Sequence, residues 1–228
     1  MANEINALKD NPAPATLAPV ILTVPGLGNS GPGHWQTTWE ARLPRCRRVD
    51  LGLWEDPHRN TWVNKLNLAI QRAEGPVVLA AHSLGCLAAA WWAEYEQPGG
   101  VVDGGKVIGA LLVAPPDVEE RPLDRRLTRF APVPETTLPF PSVLVASRND
   151  PYLTMAQARS LARRWGARLA DAGEAGHINA ASGLGDWAFG RLLLNTLLPQ
   201  PLPVVQETPR APAMLREEFD PALVWQRA

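Results

Sequence analysis

A hydroxyl becomes a useful nucleophile only where a base stands within reach and a third group orients that base. In this chain the candidates are few. Ser83 lies in "VVLAAHSLGCLAAAWWA", residues 77–93, where an apolar, β-branched run meets Ala81-His82-Ser83-Leu84-Gly85 and continues as alanines and tryptophans. A serine held at a sharp strand-to-helix turn needs small residues two before and two after it, because strand and helix cross closely there and the backbone is strained. Gly85 meets that need, and Ala81 places one methyl where such turns usually keep a glycine. The same five residues also describe a serine that merely caps a helix. Two further residues weigh against the cap. "SVLVASRNDPY" sets Asp150 just past an apolar run of strand length, and "ARLADAGEAGHIN" sets His177 in the loop after the next one. Serine, acid and histidine then each follow a separate strand, in the chain order of strand–turn–helix acyl transfer. An Asp before Pro is often just a turn residue. The chain has four histidines, however, and only His177 follows Ser83. His34 and His58 precede the turn, and His82 adjoins the serine, so its side chain is expected to point away from Oγ.

A second pattern competes. The first apolar run ends in Gly26-Leu27-Gly28-Asn29-Ser30-Gly31, a literal G-x-G-x-x-G, and Asp50 follows near the end of the next strand. This is the spacing of a dinucleotide site, in which glycines admit a pyrophosphate and an acid about 20 residues on holds a ribose hydroxyl. In such a site the helix has begun by the third glycine. Here Pro32 and Gly33 follow at once, so a loop to Gly33 and a helix from His34 is the simpler reading. A loop after an early strand has another use beside a reactive serine: it supplies a backbone N–H to an oxyanion, paired with the N–H that follows the nucleophile. Leu27 and Leu84 are the candidates for these two donors. Asn29, Trp35 and Trp54 are candidates to line the pocket.

Around these residues runs a regular alternation. Strands are expected at "VILTVP" (20–25), "RRVDLG", "PVVLAA" (76–81), "KVIGALLVA" (106–114), "SVLVAS" (142–147) and "ARLADAG". Most are continuously apolar, as strands covered by helices on both faces must be. Helices are expected from His34 to Leu43, with Trp35 and Trp39 on one face; after Asn60 as cap, with Trp62, Leu66, Ala69, Ile70 and Ala73 buried; and after Gly85 to about Gln97. Thr154 caps "MAQARSLARRW", which Gly166 closes, and "DWAFGRLLLNTLL" forms the last helix. Strand and helix alternating about six times implies an α/β fold with a doubly wound, mostly parallel sheet of about six strands in a three-layer sandwich.

The 228 residues suffice for one such domain, which we place at 19–198, between a flexible lead-in (1–18) and a Pro-rich tail (199–228). The connection from about 115 to 141 is the one insertion with room for a cap, and it is small. A net charge of −1 gives no reason to expect nucleic acid or an anionic membrane as partner. No apolar run approaches the ~20 residues of a membrane span. The first residues, acidic and proline-containing, lack a signal-peptide pattern, so a cytoplasmic location is expected. Cys46 and Cys86 form no C-x-x-C pair and read as buried free thiols; neither metal nor disulfide is expected.

With Ser83, Asp150 and His177 in place, the chain resembles an α/β-hydrolase, and more narrowly the small serine hydrolases related to the retinoblastoma-binding hydrolase. Four stretches carry the resemblance: "VPGLGNSGPGHWQTTWE", "LWEDPHRNTW", "AHSLG" and "SRNDPY…GHINAASGLGDW". It spans residues 20 to about 198 and implies a cap-poor fold, a Ser-Asp-His triad, no cofactor, and hydrolysis of a small-molecule or peptide acyl substrate. Two other readings stay open on the residues alone. One is a non-catalytic binding protein on the same fold. The other is a dinucleotide-dependent oxidoreductase using Gly26, Gly28 and Gly31.

Overall fold

A computed structural model describes residues 17–96 and 105–199. Six strands, β1 (Val20–Val24), β2 (Cys46–Arg48), β3 (Val77–His82), β4 (Val107–Val113), β5 (Ser142–Ala146) and β6 (Arg168–Asp171), form one sheet in the order β2-β1-β3-β4-β5-β6. Every pairing is parallel. The order reverses between β1 and β3, and a sheet of this kind opens a crevice at the carboxyl ends of its strands where that happens. β1, β3 and β5 are buried along their whole length. β2 and β6, at the two sheet edges, are the polar, partly exposed strands.

Among the described residues five helices cover the two faces: α1 (Trp35–Arg42), α2 (Arg59–Arg72), α3 (Leu84–Glu96), α4 (Met155–Trp165) and α5 (Ala188–Asn195). Side-chain alternation splits β3 between two cores. Val77, Leu79 and Ala81 join α2, α3 and α4, whereas Val78 and Ala80 join Trp35 and Trp39 of α1 and Leu194 of α5. All of α3 from Leu84 to Ala93 is buried. Its alanines let it lie close on the sheet, and Gly85 shows how close: a Cβ there would come 2.2 Å from the Val24 carbonyl oxygen and 2.6 Å from that of Pro25. α4 begins and ends as its sequence dictates. Thr154 and Gln157 form a capping box, and Gly166 closes the helix at φ +65°.

Two boundaries differ from the expected ones. β2 runs only from Cys46 to Arg48 instead of along "RRVDLG", because past Val49 the chain turns away through Gly52 and Leu53, both at positive φ. Asp50 is therefore an exposed residue beyond the strand. The N-cap of α2 lies two residues before the expected Asn60. His58 is its N-cap without a side-chain cap bond, and Asn60 is the second helical residue. The extra residues are held by tertiary contact: the Arg59 guanidinium lies 4.2 Å over the Trp91 ring and donates to the Ala131 carbonyl at 3.1 Å.

The 115–141 connection is anchored rather than free-standing. It contains a 3-10 turn, Arg125–Phe130, whose Leu127 and Phe130 enter the core. The indoles of Trp91 and Trp165 donate to its Phe130 and Pro134 carbonyls. The expected lead-in (but for Leu17 and Ala18), the tail beyond 199 and the end of α3 at Gln97 lie outside the described residues.

Candidate active site

Three loops leave the carboxyl edge of the sheet after β3, β5 and β6, and they bring Ser83, Asp150 and His177 together. His177 Nε2 lies 2.9 Å from Ser83 Oγ, and its Nδ1 lies 3.0 Å from each Asp150 carboxylate oxygen. The Asp150 side chain is 2% exposed and that of His177 9%, so water competes little for these bonds. A carboxylate on Nδ1 selects the tautomer that keeps the proton there and aims the Nε2 lone pair at the hydroxyl. Ser83 sits at φ +53°, a left-handed conformation that costs a non-glycine residue about 1–3 kcal/mol. A helix cap sits in extended backbone, so this is not the geometry of a capping serine.

Close packing maintains the strain. Gly85 admits the β1 carbonyls described above, and Gly26 presses on the turn from the other side. A Cβ on Gly26 would lie 2.7 Å from Ser83 Cβ and 3.2 Å from the Leu84 nitrogen. Leu84 is fully buried as the first residue of α3, and Leu27, half-buried, packs on the same core. Thus the first glycine of G-x-G-x-x-G serves the serine turn. A Cβ on Gly31, by contrast, would meet nothing within 4 Å, and Gly31 stands four residues before α1, so it makes no helix–strand contact of the dinucleotide kind.

The three residues expected to line a pocket do other work. Trp35, 1% exposed, opens α1 and donates its indole N–H to the Ile178 carbonyl at 2.9 Å, pinning the loop that carries His177. Asn29 Oδ1 accepts from the Ser30 N–H at 2.8 Å and from Arg48 at 3.2 Å. Trp54 is half-buried, 5.8 Å from the Trp62 ring, with its carbonyl accepting from Gly28. A charged groove of about 720 Å³ lies nearby, lined by Glu55, Asp56, Asp124, Arg125, Arg126, Thr128 and Arg129. Glu55 Oε1 would stand 3.7 Å from a Cβ on Gly28, so one wall of that groove borders the Leu27 turn.

Several polar residues around the site carry no signal in the sequence. Ser147 and Asn149, in the β5 loop, tie it to the histidine loop: the Ala175 N–H donates to Ser147 Oγ at 2.8 Å and the Gly176 N–H to Asn149 Oδ1 at 2.7 Å. Tyr152 places its ring 4.2 Å from that of His177, while its N–H donates to Asp150 at 2.9 Å. His82 does point away from Oγ, toward the α1 face. There its Nε2–H donates to the His177 carbonyl at 2.9 Å. His34 packs edge-on against it at 4.6 Å, accepts from the Gln36 N–H through Nδ1, and finds no partner for Nε2 among the described residues. Burial holds both rings neutral: it lowers the His34 pKa to about 4 and drives that of His82 well below 6.5. Burial likewise pushes the Cys46 thiol up to about 12 and that of Cys86 higher still, so Cys86, beside the serine turn, is no thiolate nucleophile.

Comparisons with known proteins show what the chain is similar to. A family described as serine hydrolase matches residues 21–196. A solved chain from Pectobacterium atrosepticum described as ydeN-like is 32% identical over 80% of this chain and 94% of its own, with a TM-score of 0.68. The ydeN gene product of Bacillus subtilis, 19% identical over 79% of this chain and 98% of its own, gives 0.64. A type II thioesterase, BorB, from the borrelidin biosynthetic cluster gives 0.53 at 18% identity, over 81% of this chain and 94% of its own. The last two show the shared fold. No curated protein matches the sequence.

Proposed function

Because the chain belongs to the serine hydrolase family, we propose that it cleaves an ester, thioester or amide bond through a Ser83 acyl-enzyme. His177 takes the Ser83 proton as the oxygen attacks the carbonyl, and returns it to the leaving group. Asp150 holds the imidazole and stabilises the imidazolium that forms. Water, activated by the same histidine, then releases the acyl group. The backbone N–H groups of Leu27 and Leu84 stabilise the oxyanion. Within the Leu27 turn the N–H groups of Gly28 and Asn29 are engaged, by the Trp54 and Gly26 carbonyls, which favours Leu27 as the second donor.

The observation that carries this reading is the bridge itself: one imidazole within 3.0 Å of a carboxylate on one nitrogen and 2.9 Å of a left-handed serine's hydroxyl on the other. A fluorophosphonate probe tests it. The wild type is expected to label at Ser83, and Ser83→Ala is expected neither to label nor to hydrolyse p-nitrophenyl esters. Equal labelling of the two, or none of the wild type, overturns the assignment.

A further inference from the structure

Gln36 is a fully buried amide on the inner face of α1, between Trp35 and Trp39, beside a cluster of aromatic and aliphatic side chains. Buried amides are retained in such places only when their hydrogen bonds are made. Those of Gln36 go to three separate parts of the site. Its Nε2 donates to the Ala80 carbonyl at 2.8 Å and to the Val24 carbonyl at 3.2 Å. Its Oε1 accepts from Ser30 Oγ at 2.5 Å. Both donors and one acceptor lone pair are thereby used.

The positions of these partners matter more than their number. Ala80 lies three residues before Ser83, near the end of β3. Val24 is the last residue of β1, and its carbonyl is the one that Gly85 of α3 approaches most closely. Ser30 lies three residues beyond Leu27 in the same loop, which starts at Pro25. One side chain therefore holds the start and the middle of the Leu27 loop and the strand that delivers the nucleophile. The loop is held in place from a second side as well, by Arg48 through Asn29 Oδ1 at 3.2 Å and by Thr37 Oγ1 donating to the Ser30 carbonyl at 2.9 Å.

We propose that Gln36 is a positioning residue which sets the distance between the Leu27 and Leu84 N–H groups by bridging β1, β3 and Ser30. This rests on the hydrolase reading above. Gln36 touches neither substrate nor Ser83. Its effect is exerted where negative charge develops, so it belongs to the transition state rather than to ground-state binding. Removing one oxyanion donor outright typically costs about 10²–10³ in rate. Letting a donor drift, with neither lost, should cost less, about 10–10²-fold.

The test uses Gln36→Leu, of similar volume but without hydrogen bonds, and Ser30→Ala, which removes a single contact. Turnover of a p-nitrophenyl ester is measured per active site titrated with fluorophosphonate, together with its pH profile, thermal melting, and inhibition by an arylboronic acid, whose adduct oxygen occupies the oxyanion position. For Gln36→Leu, kcat per titrated site should fall about 10–10²-fold with KM within about twofold. Boronate affinity should fall in parallel, and the midpoint of the pH profile should stay in place because His177 and Asp150 are undisturbed. Ser30→Ala should show the same signature about severalfold, and decides the matter if Gln36→Leu does not fold. Unchanged kcat per site in the folded variant, a rise in KM alone, or a shifted pH midpoint overturns the proposal. So does lowered melting with normal kcat, which would mark a purely structural amide. A wild type that neither labels at Ser83 nor turns over the ester instead removes the hydrolase reading beneath it, an outcome distinct from a labelled wild type matched by its variants.

Discussion

His82 and Ser83 are neighbours in the chain with opposite duties. Ser83 presents its hydroxyl to His177 Nε2, and His82 donates to the backbone carbonyl of the same histidine from beneath. The Ser83 hydroxyl and the His177 imidazole are thus referenced to one stretch of backbone. A ring nitrogen that donates to a carbonyl must carry a hydrogen, so the useful property of His82 is an Nε2–H at that distance from β3. His82→Gln retains a donor at a similar reach, whereas His82→Leu keeps only volume. The Leu variant is expected to lose about tenfold or more in kcat, since small misplacements of a reacting group are costly, and Gln is expected to recover most of it. Steady-state kinetics of the two variants, normalised to labelled Ser83, checks this; equal activities would show that the bond positions nothing. At Asp150 the expected effect is larger. Asp150→Asn keeps the shape but can stabilise the wrong tautomer, and should lower kcat about 10³–10⁴-fold, with melting temperature little changed.

At the scale of elements, the site depends on how closely α3 and the loop after β1 approach the serine turn. Both approaches are permitted by a missing side chain. Gly85→Ala would force a methyl into two backbone carbonyls, neither of which can rotate away. It should destabilise the fold by about 1–3 kcal/mol, as overpacking generally does, and abolish labelling of Ser83. Gly26→Ala meets Ser83 Cβ and the Leu84 nitrogen. It should act chiefly on turnover, because the loop has solvent on its far side and can yield. Urea denaturation alongside esterase activity separates the two; equal loss of stability in both would contradict the difference in backing. Elements also explain what can be read without a structure. Ser83, Asp150 and His177 are legible because each follows an apolar run, and chain order alone assigns them to neighbouring loops at one sheet edge. Gly85 is legible from the serine spacing. Gln36, His82 and Trp35 are not, since their partners, Ser30 apart, lie 12 to 143 residues away across the α1 face. Their sequence context offers only a polar residue between tryptophans, or a histidine at a strand end. The start of α2 escapes sequence reading for a related reason: Asn60 is a better cap than His58 by local chemistry, and the contact of Arg59 with Trp91 outweighs it.

For the molecule as a whole, the α1 face joins the two halves of the site and also buries two histidines that disfavour a proton. His34, His82 and His177 form a row, with ring centroids 4.6 Å apart between the first two and 5.1 Å between the last two. His34 and His82 are 4% and 5% exposed. Arg48 and His177 add to burial in disfavouring a charge on His34, and His34 and His177 do the same for His82. A histidine whose folded pKa lies below its unfolded value binds its proton more readily when unfolded. Its contribution is therefore fully present above the ordinary value of 6.5 and is lost as the pH falls toward the folded value, which for His34 is about 4. At about 1.4 kcal/mol per unit, His34 alone should cost the fold roughly 3 kcal/mol across that window. Urea midpoints followed by tryptophan fluorescence should fall steeply between pH 6.5 and about 4. In His34→Phe, which fills the same buried space without a titrating group, the slope should flatten by about that amount. If the His34→Phe slope matches the wild type, the buried ring takes up no proton on unfolding in this range, and the acid sensitivity belongs to the carboxylates instead.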